Sequence, residues 1–477
     1  MIRKKPLRAI SLALSVALLF TCNHSSVYAQ AADAEGQGGG SGPAAVTYSD
    51  ERITHNYAAV SREFTYDAWK GDRIAYPVSE IEITGTAKTT TESYGYDKSS
   101  EVVVADIGEE AELTIQVEKA GVYWLSFDYV SCADSILPAE AALMVNGEFP
   151  YYELRSLKFE NLWVDAEEPS FDRYGNQIVA IPNKVCEWQN KYILPSSYRY
   201  SQPLGVQLEA GSNTLSFTVA EGRLMLGSVY LCPQPAIPEY TGSVKAEGDE
   251  IIEIQAENPT WRNDSAIRAT CEYNTNVSPY NVKSKELNTI DSGSFKNAGQ
   301  SLTYQFEAKK GGNYYVALNY KQSDKTDFPV FMNVAVDGQI VNTAFQNYRF
   351  AYSRDYKMLT LKDDAGEMLS VSLEPGLHTI SITISVDPIR ESLEKIDKIM
   401  NDVNNLSLEI TKVVGTNKDK YRDFKLEEYI PGIKDQLTGW AGELDDIMAY
   451  AKTFNPDVKK IAAFSLYNVF RLFKGYL

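Results

Sequence analysis

The strongest constraint on this chain is a repetition. "AGVYWLSFDY" (residues 120–129) and "GGNYYVALNY" (residues 311–320) both set a small residue and a Gly before a run that alternates aromatic and aliphatic side chains. The likeness extends on both sides. "LTIQVEKAG" (113–121) resembles "LTYQFEAKKGG" (302–312), "LMVNGEFP" (143–150) resembles "VAVDGQIV" (334–341), and "VQLEAGSNTLSFTV" (206–219) resembles "VSLEPGLHTISITI" (371–384). Ahead of these, "SEIEITG" (79–85) resembles "IIEIQAE" (251–257). Most blocks alternate apolar and polar residues, the period-two mark of a half-buried strand. The Asn-Gly and Asp-Gly pairs suit tight hairpin turns, which need positive φ at both central residues.

The blocks recur in one order, so one domain type is written twice. Each copy is expected to be a sandwich of eight or so short antiparallel strands. The offset is 191 residues at the aromatic phrase (312 − 121) but 165 at the last block (371 − 206), so the first copy carries an insert, residues 151–203. The expected architecture is mainly β: two tandem antiparallel β-sandwiches, then a C-terminal α-helical region. The first sandwich covers 48–234 with an N-terminal strap and the insert, and the second covers 250–388. Residues 235–249, within "PQPAIPEYTGSVKAEGDE", form a Pro-rich linker. A length of 477 residues suits such a multidomain chain.

At Asp387-Pro388 the period changes from two to 3.6. Asp387 suits a helix cap and Pro388 a first turn. Ile389, Leu393, Ile396, Met400, Val403 and Leu406 then share a helical face, and Gly415 stops the helix. A second amphipathic run holds Ile433, Leu437, Trp440, Leu444 and Met448. A third, from Asp457, holds Ile461, Phe464, Leu466 and Phe470. Residues 389–477 are read as a small helical bundle or hairpin.

The first twenty-nine residues read as an export signal: Arg3, Lys4, Lys5 and Arg8, an apolar "ISLALSVALLF" too short to span a bilayer, and "VYAQ" with small residues at the cleavage positions. Cleavage before Gln30 gives a secreted chain; Cys22 in "LFTC" offers the alternative of a lipid anchor. A Gly-rich linker follows at 30–47. The net charge is −18, or −22 once the four basic signal residues are removed (−18 − 4). That acidity excludes nucleic acid, whose phosphates need Lys and Arg, and disfavours anionic membrane surfaces. Cys132, Cys186, Cys232 and Cys271 contain no CxxC pair, which disfavours a zinc site. They are read as buried thiols or one incidental bridge.

Catalysis finds little support. There are three His in the chain (His24, His55 and His378), and no nucleophile elbow, HExxH, P-loop or dinucleotide fingerprint stands in a supporting context. No enzyme and no cofactor are expected. Binding is better represented. The insert holds Trp163, Phe171, Tyr174, Trp188, Tyr192, Tyr198 and Tyr200, and aromatic faces stack on sugar rings while neighbouring Asp, Arg and Asn fix hydroxyls. "DRYGN" puts Asp172, Arg173, Tyr174 and Asn176 in one turn. In the second copy, "ENPTWRNDSAIR" is a polar loop with Trp261, Arg262, Asn263 and Asp264; it either binds a ligand or interlocks with the first domain. Glu257 is a candidate ligand of a structural calcium, since hard cations need clustered oxygens; the other reading is an ordinary exposed Glu.

These residues also carry a resemblance. "IIEIQAENP", the Gly before an aromatic strand, "VAVDGQ" and "LEPGLHTISI" together resemble galactose-binding-like carbohydrate-binding-module sandwiches (jelly rolls). The order of parts, with "LKFENLWVDAEEPSFDRYGNQI", "NDSAIR", "LNTIDSG" and "DKYRDFKLEEYIPGI", resembles the N-terminal half of large extracellular solute-binding proteins of sugar ABC importers in Gram-positive, Paenibacillus-type bacteria. The resemblance covers about residues 79–440. It implies a non-catalytic secreted protein that binds a polysaccharide or oligosaccharide, with ABC transporter components as partners at the cell surface. In those proteins the helices lead into a two-lobed α/β domain, which these 477 residues do not match. Import is therefore not expected of this chain by itself. The alternative expectation is an interaction protein, with the sandwiches as scaffold and the helical face around Phe464, Phe470 and Phe473 as the docking surface.

Overall fold

The computed structural model describes residues 51–131, 136–166, 168–323, 328–415 and 424–455. The export signal with Cys22, the Gly-rich linker, Cys132, and the third amphipathic run with Ile461, Phe464, Leu466, Phe470 and Phe473 lie outside them. The protein is mainly β with a helical C-terminal region, and it divides into two compact units. Both sandwiches belong to one unit; the helices from Glu391 belong to the other.

The first sandwich packs a five-stranded sheet against a seven-stranded one. The five run in the order Glu82–Gly85, Glu110–Val117, Gly211–Glu221, Ala139–Val145, Leu157–Phe159. The seven-stranded sheet centres on Gly121–Val130 and Leu224–Cys232; Gln189–Tyr192, Gly205–Leu208, Ile74–Tyr76, Val102–Ala105 and Lys88–Thr90 surround them. Alternate residues meet in the core, because successive strand side chains point to opposite faces. Tyr123, Leu125, Phe127 and Tyr129 face Leu113, Leu143, Leu215 and Phe217. The Phe127 and Phe217 rings meet edge-on at 4.9 Å. Each such residue contributes about 1.5–3 kcal/mol by leaving water. The hairpin reading holds at Asn146-Gly147 (φ 52° and 83°) and Asp337-Gly338 (φ 49° and 75°).

The alternating pattern breaks in the two central strands. Every residue of Gly121–Val130 and of Leu224–Cys232 is buried, on the outer face as well as the inner. The strap, the insert and the loop after Lys88–Thr90 supply the cover. Phe64 and Tyr192 pack on Val122, Trp124, Tyr230 and Cys232, while Tyr96 and Trp188 pack on Val102, Val130 and Met225. The strap is more ordered than its polar composition suggested: it contains two short helices, and its strand Ile74–Tyr76 pairs with Leu224–Cys232.

The second sandwich departs from simple tandem repetition. Its large sheet has eight strands, and two come from the first copy's insert. The order is Asn183–Val185, Leu162–Val164, Trp261–Arg262, Ser301–Ala308, Gly376–Ser385, Val330–Val336, Gln339–Ile340, with Tyr348–Phe350 also on Val330–Val336. Trp163 pairs with Arg262, and Trp261 and Arg262 pair in turn with Thr303 and Leu302. The insert therefore augments its neighbour's sheet and closes an edge that would otherwise expose unpaired N–H and C=O groups. The two-stranded sheets Gly312–Tyr315/Ser370–Leu373 and Ala317–Gln322/Ser353–Thr360 supply further core residues.

Residues 251–257, expected as a strand by analogy with "SEIEITG", form none. In the first copy Glu82–Gly85 pairs with Glu110–Val117; in the second, Trp261–Arg262 takes the corresponding edge of Ser301–Ala308. The displaced segment is held by side chains instead: Glu250 accepts from the N–H groups of Lys309 and Lys310, and Tyr304 donates to the Ala256 carbonyl (2.8 Å).

In the helical unit, Arg390–Val414, Leu426–Tyr429 and Ile433–Phe454 bury Ile399, Leu406, Ile433, Trp440, Leu444 and Met448. The long helix follows a 3-10 turn, Asp387–Ile389, with Pro388 in its first turn. It stops where Gly415 takes φ 64°. Among the described residues, no helix is long and apolar enough to cross a membrane.

Candidate functional site

The outer face of the seven-stranded sheet is covered but not uniformly apolar. Gly121–Val130 sends Ser126 and Asp128 outward between Trp124 and Val130. The neighbouring strand Leu224–Cys232 places Tyr230 opposite Ser126. Between Leu226 and Val229 that strand carries one extra residue against its partner, a β-bulge at Gly227-Ser228. On the other side, Gln189–Tyr192 sets Asn190 opposite Asp128 and Tyr192 opposite Ser126. The loop after Lys88–Thr90 brings Tyr96 and Lys98 over the top.

These groups converge on one carboxylate. Asp128 is 3% exposed. Its Oδ2 accepts from the Tyr230 hydroxyl (2.7 Å), the Lys98 ammonium (2.9 Å) and the Tyr96 hydroxyl (2.9 Å), and its Oδ1 accepts from Asn190 Nδ2 (2.7 Å). Burial pushes its pKa up, but the bonds from Lys98, Tyr230, Asn190 and Tyr96 outweigh burial and hold it below the usual carboxylate range. Burial likewise raises the Tyr96 phenol, so it stays protonated as a donor. The Tyr96 hydroxyl also lies 2.7 Å from Ser228 Oγ and accepts from the Ser228 N–H. Arg73 stacks its guanidinium 3.5 Å over the Tyr230 ring and donates to Ser126 Oγ.

An open cleft of about 300 Å³ lies above Asp128, lined by Gly95, Tyr96, Asp97, Lys98, Trp188, Gln189 and Asn190. Its volume is at the lower end for small-molecule sites. Trp188 forms an aromatic wall: it packs on Tyr96 at 4.3 Å between ring centres, and its indole N–H is spent on the Ser93 carbonyl (2.7 Å). The cleft thus combines an aromatic wall with a fixed set of donors and acceptors around a carboxylate held ionised, an arrangement able to take a polyhydroxylated ring.

Of the residues expected from sequence, Trp188 alone lines this cleft. Trp163 is 5% exposed and sits in the strand joining the two sandwiches. Asp172 folds its own turn, accepting from the backbone of Tyr174 and Asn176 and from Asn176 Nδ2 (2.8–2.9 Å). Asn176 accepts from the N–H of Lys285 in the second copy, while Arg173 stacks on the exposed Tyr174. The loop with Trp261 interlocks the domains. Arg262 is buried and ion-paired with Asp165 of the insert, and Asn263 donates to Glu160 (2.9 Å). Asp264 accepts from Ala266 N–H and Gln300 Nε2. Glu257 is buried, with its pKa raised by that burial, and accepts from Asn258 Nδ2 (3.3 Å). Among the described residues no group of three or more His, Cys, Asp or Glu is placed to hold a metal. Cys186, Cys232 and Cys271 are free thiols.

The second copy shows what duplication left behind. Asp128 corresponds to Asn319, by the same 191-residue offset (319 − 128). Opposite Asn319 stands Met358, where Asn190 stands opposite Asp128. Asn319 donates to the Asn276 carbonyl (2.7 Å). After Gly376–Ser385 the chain turns into the Asp387–Ile389 helix, and among the described residues no strand like Leu224–Cys232 brings a second Tyr230.

No curated protein matches the sequence. Among solved structures, the chain is similar to a family 35 carbohydrate-binding module from Clostridium thermocellum (15% identity, 34% of this chain, 98% of that chain, TM-score 0.22). It is similar to a CBM35 from Paenibacillus barcinonensis (19%, 34% and 99%, TM-score 0.20). It is also similar to a GH26-CBM35 β-(1,4)-mannanase from Podospora anserina (13%, 36% and 31%, TM-score 0.22), spanning less than a third of that chain. Residues 391–471 match the family model described as "Bacterial solute-binding protein, 4-helix bundle domain", so the C-terminal helices are similar to that domain of solute-binding proteins.

Proposed function

We propose that this chain is an extracellular, non-catalytic carbohydrate-binding protein, and that the first sandwich takes a sugar unit in the Asp128 cleft. The observation that carries this reading is the cleft itself: an aromatic wall at Trp188 beside a carboxylate fixed by four side-chain donors. A ligand rich in hydroxyls gains from both, by stacking and by hydrogen bonds to pre-oriented groups. A binding role fits Asp128 better than acid catalysis does. A general acid needs a raised pKa, and Asp128 is held low. The helices, similar to a bacterial solute-binding protein domain, support solute capture outside the cell, next to ABC transporter components of a sugar uptake system.

The test is a glycan-array and polysaccharide pull-down screen of residues 30–477, followed by isothermal titration of any hit with wild type and Trp188→Ala. Binding that Trp188→Ala loses supports the reading. Binding that it keeps puts the site elsewhere, and a folded chain that binds no glycan removes the reading.

A further inference from the structure

The wall of the cleft is tied to the second sandwich. Trp188 and Asn190 belong to the insert, whose preceding strand Asn183–Val185 lies in the second sandwich's sheet. Between Asn190 and Tyr192 stands Lys191, which points to the opposite side of its strand. Its ammonium pairs with Glu160 Oε2 at 3.3 Å; both side chains are largely buried. Glu160 also takes the Tyr198 hydroxyl on Oε1, and its backbone carbonyl accepts from Gln189 Nε2 (3.4 Å) and the Tyr129 hydroxyl (3.2 Å). What orients the Glu160 carboxylate from across the domain boundary is Asn263. Its Nδ2 donates to Glu160 Oε1 (2.9 Å) and to the Gly299 carbonyl (2.7 Å), and its Oδ1 accepts from the Ser301 N–H (2.8 Å). Both of its amide donors and one lone pair of its carbonyl oxygen go to holding one geometry.

We infer that Asn263 is a positioning residue for the cleft: through Glu160 and Lys191 it fixes the strand Gln189–Tyr192, and with it Trp188 and Asn190, against Asp128. The second sandwich then serves the first as a scaffold. This rests on the cleft being the binding site, but its test needs no ligand, so it can fail while sugar binding stands, and the reverse.

The experiment is amide hydrogen exchange on the full chain, together with 19F NMR of 5-fluorotryptophan-labelled protein in which Trp188→Phe assigns the Trp188 resonance. In Asn263→Ala, exchange at residues 189–192 should rise tenfold or more and the Trp188 line should shift or broaden, with the amides of Gly121–Val130 still protected. Faster exchange confined to residues 261–264 and 299–301, with the Trp188 line unmoved, overturns the inference. Should Asn263→Ala fail to fold, Asn263→Asp keeps the size, replaces the donor with a carboxylate facing Glu160, and is held to the same outcomes.

Discussion

At the scale of the residue, the cleft depends on a glycine. A Cβ on Gly227 would stand 2.5 Å from Cζ of Tyr96, too close for any real contact, and Tyr96 is already packed on Trp188. The bulge at Gly227-Ser228 therefore makes room for the ring that reaches Asp128. Gly227→Ala should displace Tyr96 and weaken glycan binding about tenfold, equivalent to about 1.4 kcal/mol, while the circular dichroism spectrum stays that of the wild type; unchanged affinity by titration calorimetry would count against this role. Asp128 has its own signature in acid. Its folded pKa lies below the unfolded value, so its bonds contribute fully above about pH 3.9 and fade as pH falls through the lower folded value. Asp128→Asn should cost about 1–3 kcal/mol at pH 7 and flatten the loss of stability as pH falls below about 4. Denaturant unfolding across that range measures it, and parallel wild-type and variant curves would contradict it. Asp128 sits in plain view within "AGVYWLSFDY", at a step that faces away from the core. Its partners Tyr96, Lys98, Asn190 and Tyr230 lie between 30 and 102 residues away along the chain, and no local pattern joins them.

At the scale of the element, periodicity made most strands readable because each copy repeats its alternation and its Asn-Gly or Asp-Gly turn. It failed where pairing, not pattern, decides: the strand at 251–257 lost its edge to Trp261–Arg262, and the insert crossed to the neighbouring sheet. Trp163 and Trp261 are aromatic residues in polar stretches, and from sequence alone a wall of a binding site and a strand plugging a seam look alike. The seam makes a definite expectation. Trp163 is 5% exposed between Lys184 and Arg262. Trp163→Ala should cost about 3–5 kcal/mol. Because the strand belongs to both domains, the loss should lower one shared calorimetric transition of the sandwiches. Two transitions, of which the variant moves only one, would show that the sheet does not couple them.

At the scale of the whole molecule, duplication and divergence set the number of ligands. A tandem repeat invites the expectation of two equivalent sites. The geometry argues for one, because the second copy replaces the carboxylate with Asn319, its amide donor with the exposed Met358, and the strand that would carry a second Tyr230 with the turn into the helices. Restoring the charge does not rebuild the site, since an exposed carboxylate at 319 would stay solvated and would gain none of the donors that hold Asp128. Titration of a monovalent oligosaccharide ligand should therefore give one molecule bound per chain in wild type and also in Asn319→Asp. Asp128→Asn combined with Trp188→Ala should abolish binding completely. Two molecules per chain in wild type, or residual binding of half the original capacity in that double variant, would mean the second sandwich binds as well, and its part would be more than that of a scaffold.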